Sequence, residues 1–311
     1  MKSIYTLTLS PAIDKSTIVE HVVPEHKLRC SEAKFEAGGG GINVSRAIKK
    51  IGGDSVAVYT KGGSTGDLLQ KLLNLEFINQ LPVECINWTR ENFTVVETSS
   101  NQQFRFGMPG ARLFDREWKK CLEILADPSR KIDYIIASGS MPEGVSDDFY
   151  TRLAIIAKEK KAKLILDSSG STLKAALEEG IYLLKPNTKE LGELVGKELV
   201  NIKEQEEAAQ EIIKSGKIEI LVVSMGASGA MIVSKEGVHH ISAPPVKKRS
   251  TVGAGDCMVA GLVWSLSQGM SPQDSLRYGI ACGSAATMNT GTELCKKEDV
   301  EELYNWMKNE K

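Results

Sequence analysis

From residue 131 onward the chain alternates short, unbroken apolar runs with stretches whose apolar residues return every third or fourth position. The runs are Tyr134–Ser138, Leu164–Leu166, Tyr182–Leu184 and Ile220–Val223. The periodic stretches are Phe149–Ala157, Thr172–Glu178, Thr188–Leu194 and Ala208–Ser215. Unbroken runs suit strands covered on both faces, and the longer period suits helices lying over them. Each run ends in small or polar residues: Gly139-Ser140-Met141-Pro142, Asp167-Ser168-Ser169-Gly170, Lys185-Pro186-Asn187 and Ser224-Met225-Gly226-Ala227-Ser228-Gly229. Repeated strand–helix units predict a mostly parallel α/β sheet flanked by helices, with its functional residues along one edge.

The first third is less regular. Ile4–Leu9 predicts a strand closed by a proline turn, Ser10–Asp14, that leaves Asp14 at the strand's end. Val44, Ala47, Ile48 and Ile51 mark a helix stopped by Gly52-Gly53, and Ser55–Thr60 and Thr65–Leu75 predict a strand and a helix. Thr17–Glu36 has β-branched runs without a helical face, and Trp88–Ser99 with Gln103–Met108 reads as a hairpin. These segments, about 15–36 and 88–108, predict a small β-sheet lid carrying Lys27, Arg29, Arg90 and Arg105. Strands at Met231–Val233 and His239–Ser242 and helices at Asp274–Asn289 and Lys297–Lys308 complete the chain. Without repeats or a long linker, residues 1–311 are expected to form a single domain.

Composition narrows the function classes. With 39 Lys and Arg against 40 Asp and Glu, the net charge is −1, and nothing calls for nucleic acid or an anionic membrane. Six cysteines without a C-x-x-C pair fit neither a zinc site nor a disulfide framework, so they read as reduced thiols. No stretch approaches the ~20 apolar residues of a membrane span. The N-terminal run is too short for a secretory leader. A soluble, cytoplasmic protein is expected.

The chemistry is placed by glycines. Gly253-Ala254-Gly255 precedes Met258, Val259, Leu262, Val263 and Leu266, one helical face, so the turn sits at a helix N-terminus whose free N–H groups favour an anion. Asp256, on the first turn, would repel that anion unless it had a separate task, such as accepting a proton from an attacking hydroxyl. A tight turn followed by an ordinary first-turn acid would look the same. Gly38-Gly39-Gly40-Gly41 before Asn43 suggests backbone pressed against a ligand, with an amide for hydroxyl recognition. It is neither a dinucleotide fingerprint nor a Walker A loop. Asp14 could hold two sugar hydroxyls or simply form a turn. Arg90 and Arg105 suit a phosphate or are ordinary surface charges. Two anion sites with a carboxylate between them suit phosphoryl transfer from a nucleotide to a phosphorylated polyol.

Gly38-Gly39-Gly40-Gly41-Ile42-Asn43 and Ser250-Thr251-Val252-Gly253-Ala254-Gly255-Asp256 together resemble the two signatures of the PfkB branch of the ribokinase-like sugar kinases, and the likeness covers essentially the whole chain. Gly40 in the glycine run, with Tyr5–Leu9, Lys27-Leu28-Arg29-Cys30 and Trp88-Thr89-Arg90, is most similar to the 6-phosphofructokinases of that branch. Kinases of tagatose 6-phosphate or fructose 1-phosphate are the near alternatives, and a non-catalytic sugar-phosphate sensor is a remoter one. The resemblance implies a ribokinase-like fold and transfer of the ATP γ-phosphoryl to the C1 hydroxyl of fructose 6-phosphate. It implies Asp256 as base and the Gly253, Ala254 and Gly255 amides as anion hole. Asp14, Gly39, Asn43 and Ser140 would hold the sugar. Arg90 and Arg105 would hold the 6-phosphate, with Lys27 and Arg29 nearby and Lys27 acting across a homodimer formed through the lid. Lys185, Asn187, Ser224, Gly226, Gly229 and Thr251 would line ATP. Asn187 and Glu190 would position Mg²⁺ mainly through water. Ser250, Val252, Ala286, Asn289 and Gly291 would offer oxygens to K⁺, with the Glu293 carboxylate beside that loop.

Overall fold

The computed structural model describes residues 2–168 and 171–309. In chain order the first half contains β1 (Ile4–Thr8), β2 (Ala12–Val19), β3 (Lys34–Gly38), α1 (Gly40–Lys50), β4 (Val56–Lys61), α2 (Gly63–Leu75), β5 (Asn79–Glu84), β6 (Arg90–Glu97), β7 (Gln102–Phe106) and α3 (Asp115–Ala126). Then follow β8 (Tyr134–Ser138), α4 (Phe149–Lys160), β9 (Lys163–Asp167), α5 (Ser171–Leu177), β10 (Ile181–Leu184), α6 (Thr188–Val195), α7 (Ile202–Lys214) and β11 (Ile218–Ser224). The chain closes with β12 (Ala230–Ser234), β13 (Gly237–Ile241), α8 (Ala254–Ser267), α9 (Pro272–Thr287) and α10 (Lys297–Asn309). The predicted loop residues Ser169 and Gly170 lie outside the described residues.

Nine strands form the main sheet in the order β13-β12-β11-β10-β9-β8-β1-β4-β5. All neighbours pair parallel except β11–β12 and β12–β13. Successive side chains on a strand point to opposite faces. Ile135, Leu164, Leu166, Leu184, Leu221 and Val223 join one core with Trp118, Phe149 and Leu153. Ile136, Ile165, Leu183, Ile220 and Val222 join the other, with α1, α8, α9 and α10. Two buried faces explain why these strands lack polar alternation.

A second sheet, β3-β2-β6-β7, forms the lid. Its register aligns Phe35, Lys15, Phe93 and Phe106 in one cross-strand row, and Glu36, Asp14 and Asn92 in the row beside it. Cross-strand partners share a face, and adjacent rows face opposite ways. The Asp14 row is therefore polar, while the other side sets three aromatic rings around Lys15, whose ammonium lies over the Phe35 ring.

Three expectations change. Asp14 is not in a turn but inside β2, because the strand begins at Ala12, one residue past Pro11, and buries Ala12 and Ile13 completely. The 17–36 segment is strand only at its ends. Residues 20–33 are irregular and mostly exposed, so Lys27 and Arg29 stand on a loop and not on strands. Pro24 and the polar run Glu25-His26-Lys27 offer no apolar face to bury there. Strand β5 and helix α3 appear where no element was expected. Pro82 argues against an interior strand, but β5 is the sheet edge, where a missing N–H faces outward. Helix α3 buries Trp118, Cys121, Leu122 and Leu125, a helical spacing that was readable in the sequence.

Trp118 is 1% exposed and meets Phe149 edge-on, 6.0 Å between ring centroids. Trp118→Ala should lower unfolding free energy by ~3–5 kcal/mol, measured by urea titration; a loss below ~1 kcal/mol would show that α3 is not part of the cooperative core.

Candidate active site

Ser138, Asp167 and Ser224 are the last residues of β8, β9 and β11, and Lys185 follows β10. These four strands are neighbours, so the sheet lines their polar ends along one edge. Above that edge starts α8. Its cap, Gly253, has φ 72°, left-handed backbone that glycine adopts freely. The Gly253 and Gly255 amides have no protein acceptor among the described residues, and that of Ala254 makes only a long 3.4 Å bond to the Thr251 carbonyl. A Cβ at Gly255 would stand 3.8 Å from Lys185 Nζ, so an ammonium lies beside these free donors. Helix dipole, bare amides and lysine together make an anion site.

Asp256 faces it from the first turn. Asn43 Nδ2 donates to one carboxylate oxygen at 2.9 Å, and the Ser138 hydroxyl lies 3.5 Å from the other. The same hydroxyl is 3.3 Å from Asp167, which pairs with Lys185 at 3.0 Å. Loss of hydration, reinforced by the Asp167 charge, pushes the Asp256 carboxyl up to about 7 despite Asn43, Lys185 and Ser138. Burial works against the Lys185 ammonium, but Asp167, Asp256 and Glu190 more than offset it and keep it charged. A carboxylate that titrates near neutrality next to an anion site suits a general base.

The polar lid face supplies a second cluster. Asn92 Nδ2 donates to Asp14 at 2.8 Å, and burial raises the Asp14 carboxyl against the pull of Asn92, Arg46 and Arg90. Arg90 donates to the Met108 and Ser10 carbonyls, while its Nε is buried with no partner among the described residues. Arg105 pairs with Thr94, two residues along from Asn92, so it shares the face of Asp14 and Arg90. The glycine run is tight against protein backbone. A Cβ at Gly40 would fall 2.7 Å from Gly139 N, one at Gly41 2.6 Å from the Leu7 carbonyl, and Gly39 has φ +112°. These contacts set Gly39 and Asn43 over the ends of β1 and β8. Ser140, expected beside the sugar, is exposed on the loop after β8, and Ser138, unflagged in the sequence, lies against Asp256. Lys27 and Arg29 are exposed, in no ion pair among the described residues.

Beyond the glycine turn opens a cavity of about 640 Å³, with Ser224, Gly226, Gly229, Thr251 and Gly255 in its wall. Lys248 is the one charged side chain among its lining residues. Asn187 caps α6: its side chain accepts from Glu190 N–H, and Glu190 accepts from Asn187 N–H, each near 2.8–2.9 Å. That capping box uses one Glu190 oxygen and leaves the other for a metal-bound water. Ser250 and Gly291 also meet: the Ser250 hydroxyl donates to the Gly291 carbonyl at 2.7 Å, while nearby in the chain Asn289 N–H donates to Ala286 and its side-chain amide to the Ala285 and Leu294 carbonyls. Oxygen donors of this kind suit a hard monovalent cation, and the Glu293 charge is already matched by Lys34 at 2.8 Å.

Asp167, Ser138 and Asn92 were not among the sequence candidates. Asp167 and Ser138 could have been found from their place at strand ends on the functional edge; Asn92 depended on the lid register.

The sequence profile of the pfkB family carbohydrate kinases matches residues 8–299. Over 309 residues the chain is 45% identical to the ATP-dependent 6-phosphofructokinase isozyme 2 of Escherichia coli (strain K12), covering 99% of each. It is 31% identical to the 1-phosphofructokinase of Bacillus subtilis (strain 168), over 96% of this chain and 97% of that one. Among solved structures, phosphofructokinase-2 from Escherichia coli in complex with potassium superposes with a TM-score of 0.95 at 44% identity, covering 99% of this chain and 100% of that one. The same enzyme in complex with fructose-6-phosphate gives 0.93 at 42%, with the same coverage.

Because folding raises the Asp256 carboxyl from 3.8 to about 7, this group's contribution to stability is fully present below pH 3.8 and lost as pH rises through 7. Asp256→Asn should therefore melt higher than the parent at pH 8, by more than at pH 5. Equal melting temperatures for the two proteins at both pH values would contradict a desolvated carboxylate.

Proposed function

This chain belongs to the pfkB family of carbohydrate kinases, and on that footing we propose that it is an ATP-dependent 6-phosphofructokinase, active in the cytoplasm. The observation that carries the reading is Asp256, titrating near neutrality at the mouth of the free-amide turn, between the lid cluster and the large cavity. The main sheet and lid act as one kinase unit.

Fructose 6-phosphate binds under the lid, its 6-phosphate on Arg90 and Arg105, whose forked donors take phosphate oxygens in pairs. The unpartnered Arg90 Nε supports that role. Asp14, Gly39 and Asn43 hold the hydroxyls, with Ser140 at the rim. ATP occupies the cavity along Ser224, Gly226, Gly229 and Thr251, its phosphates toward Lys185 and Asn187. Asp256 takes the C1 hydroxyl proton as that oxygen bonds to the γ-phosphorus and the bond to the bridging oxygen breaks. Fructose 1,6-bisphosphate and ADP result. Charge spreading over the transferring group falls on the Gly253, Ala254 and Gly255 amides and the Lys185 ammonium, already oriented before reaction. Mg²⁺, held mainly through water by Asn187 and Glu190, would neutralise charge on the nucleotide phosphates. K⁺ at Ser250, Val252, Ala286, Asn289 and Gly291 would brace the turn from behind.

The aromatic side of the lid supports a homodimer. Phe106 is 50% and Phe35 38% exposed, and both align with Phe93 in the row that faces away from Asp14. An apolar sheet face open to water gains by pairing with a copy of itself. Lys27 and Arg29, on the exposed 20–33 loop, could then serve the partner's site.

Asp256→Asn should lower turnover by roughly 10²–10⁴ while fructose 6-phosphate still binds by calorimetry. Assayed with Mg-ATP, with and without potassium, the parent should show its highest kcat/KM for fructose 6-phosphate. A higher value for tagatose 6-phosphate or fructose 1-phosphate would move the substrate assignment, and a near-normal Asp256→Asn rate would end the mechanism. In light scattering, Phe106→Glu should convert a dimeric parent to monomer; a variant that stays dimeric would exclude the lid face as interface.

A further inference from the structure

Glu36 on β3 is 8% exposed and shares the polar lid row with Asp14, whose carboxyl its charge helps to raise, yet its own hydrogen bond goes to neither cluster described above. It accepts a hydrogen bond from the hydroxyl of Thr292, itself 7% exposed. Lys34 Nζ lies 3.6 Å from it and also pairs with Glu293 at 2.8 Å. Behind stands Arg46 of α1, 3% exposed, 3.8 Å from Glu36, bound to Glu76 and to the Ala37 carbonyl. These contacts cross between two parts of the site. Strand β3 ends at Gly38, where a Cβ would stand 2.3 Å from Asp14 Oδ2, so it carries the root of the sugar cluster. Thr292 and Glu293 lie in the segment whose Gly291 carbonyl accepts from Ser250 and whose Leu294 would be 2.7 Å from a Cβ at Gly253. That segment therefore supports the free-amide turn.

We propose that Glu36, with Thr292 and the Lys34–Glu293 pair, forms a strut that fixes the distance between the lid's sugar cluster and the phosphoryl-transfer turn; this rests on the kinase reading given above. The residues touch neither ligand and act as positioning residues. The exposed Lys34–Glu293 pair adds little alone, since screened surface pairs are weak. The buried hydroxyl–carboxylate bond carries most of the constraint, because a buried charge that loses a partner is destabilised. Its effect is on alignment: the acceptor oxygen and the γ-phosphorus are carried by different elements, and a shift of about 1 Å between them can cost on the order of 10²-fold in rate.

Thr292→Val keeps the shape and removes the donor; Glu36→Gln keeps the shape and removes the charge. Each should lower kcat at saturating substrates at least tenfold, while fructose 6-phosphate alone and a non-hydrolysable ATP analogue alone bind within threefold of the parent by calorimetry. Rates within twofold of the parent for both Thr292→Val and Glu36→Gln would overturn the strut. So would a rate loss matched by an equal loss of binding stoichiometry, which marks plain unfolding. A parent that binds but phosphorylates no sugar phosphate would overturn the kinase reading and the strut with it, whereas an active parent with indifferent variants removes the strut alone.

Discussion

Asp256 loses much of its hydration while an anion-attracting turn forms on its own helix, and these two demands oppose one another. A charged carboxylate beside three outward amides would compete with a phosphate for the same donors. Asn43 and Ser138 take its oxygens instead, and the nearby Asp167 charge favours its protonated form. Lys185 is shared: it neutralises Asp167 from below and faces the turn from the side. The residues that bind this network come from the ends of β8 and β9, the position after β10, and α1, so four separate elements set the protonation of one buried carboxyl.

Close backbone contact is the second requirement. Gly40 and Gly41 let α1 start directly above the ends of β8 and β1, which delivers Asn43 to Asp256. A side chain at either position would push the helix away and break that bond. The lid has a comparable economy. Its β register places Asp14, Asn92, Arg90 and Arg105 on one side and three aromatic rings around Lys15 on the other, so a single four-stranded sheet presents two chemically different surfaces.

Most of the main sheet could be read directly, because strands buried on both faces are uninterrupted apolar runs and their helices have a clear period. Elements β8 to β13 and α4 to α10 fall close to where the pattern puts them, except that α7 begins at Ile202, well ahead of the expected Ala208. The misses have separate physical causes. The edge position of β5 tolerates a proline that a central strand would not, and nothing local marks an edge. Asp14 seemed to sit in a turn because Pro11 precedes it, yet pairing with β3 and β6 draws the following residues into a strand.

The sequence by itself determined the α/β class and the places of the two glycine-marked turns, with Asp256 directly after the second, since these depend on local backbone freedom and short-range periodicity. Only the tertiary structure decided that Ser138 meets Asp256, that Asp167 and Lys185 form a pair beside it, and that Glu36 reaches Thr292. Those contacts join residues that are far apart along the chain, and whether they meet depends on strand order and register, which leave no local trace.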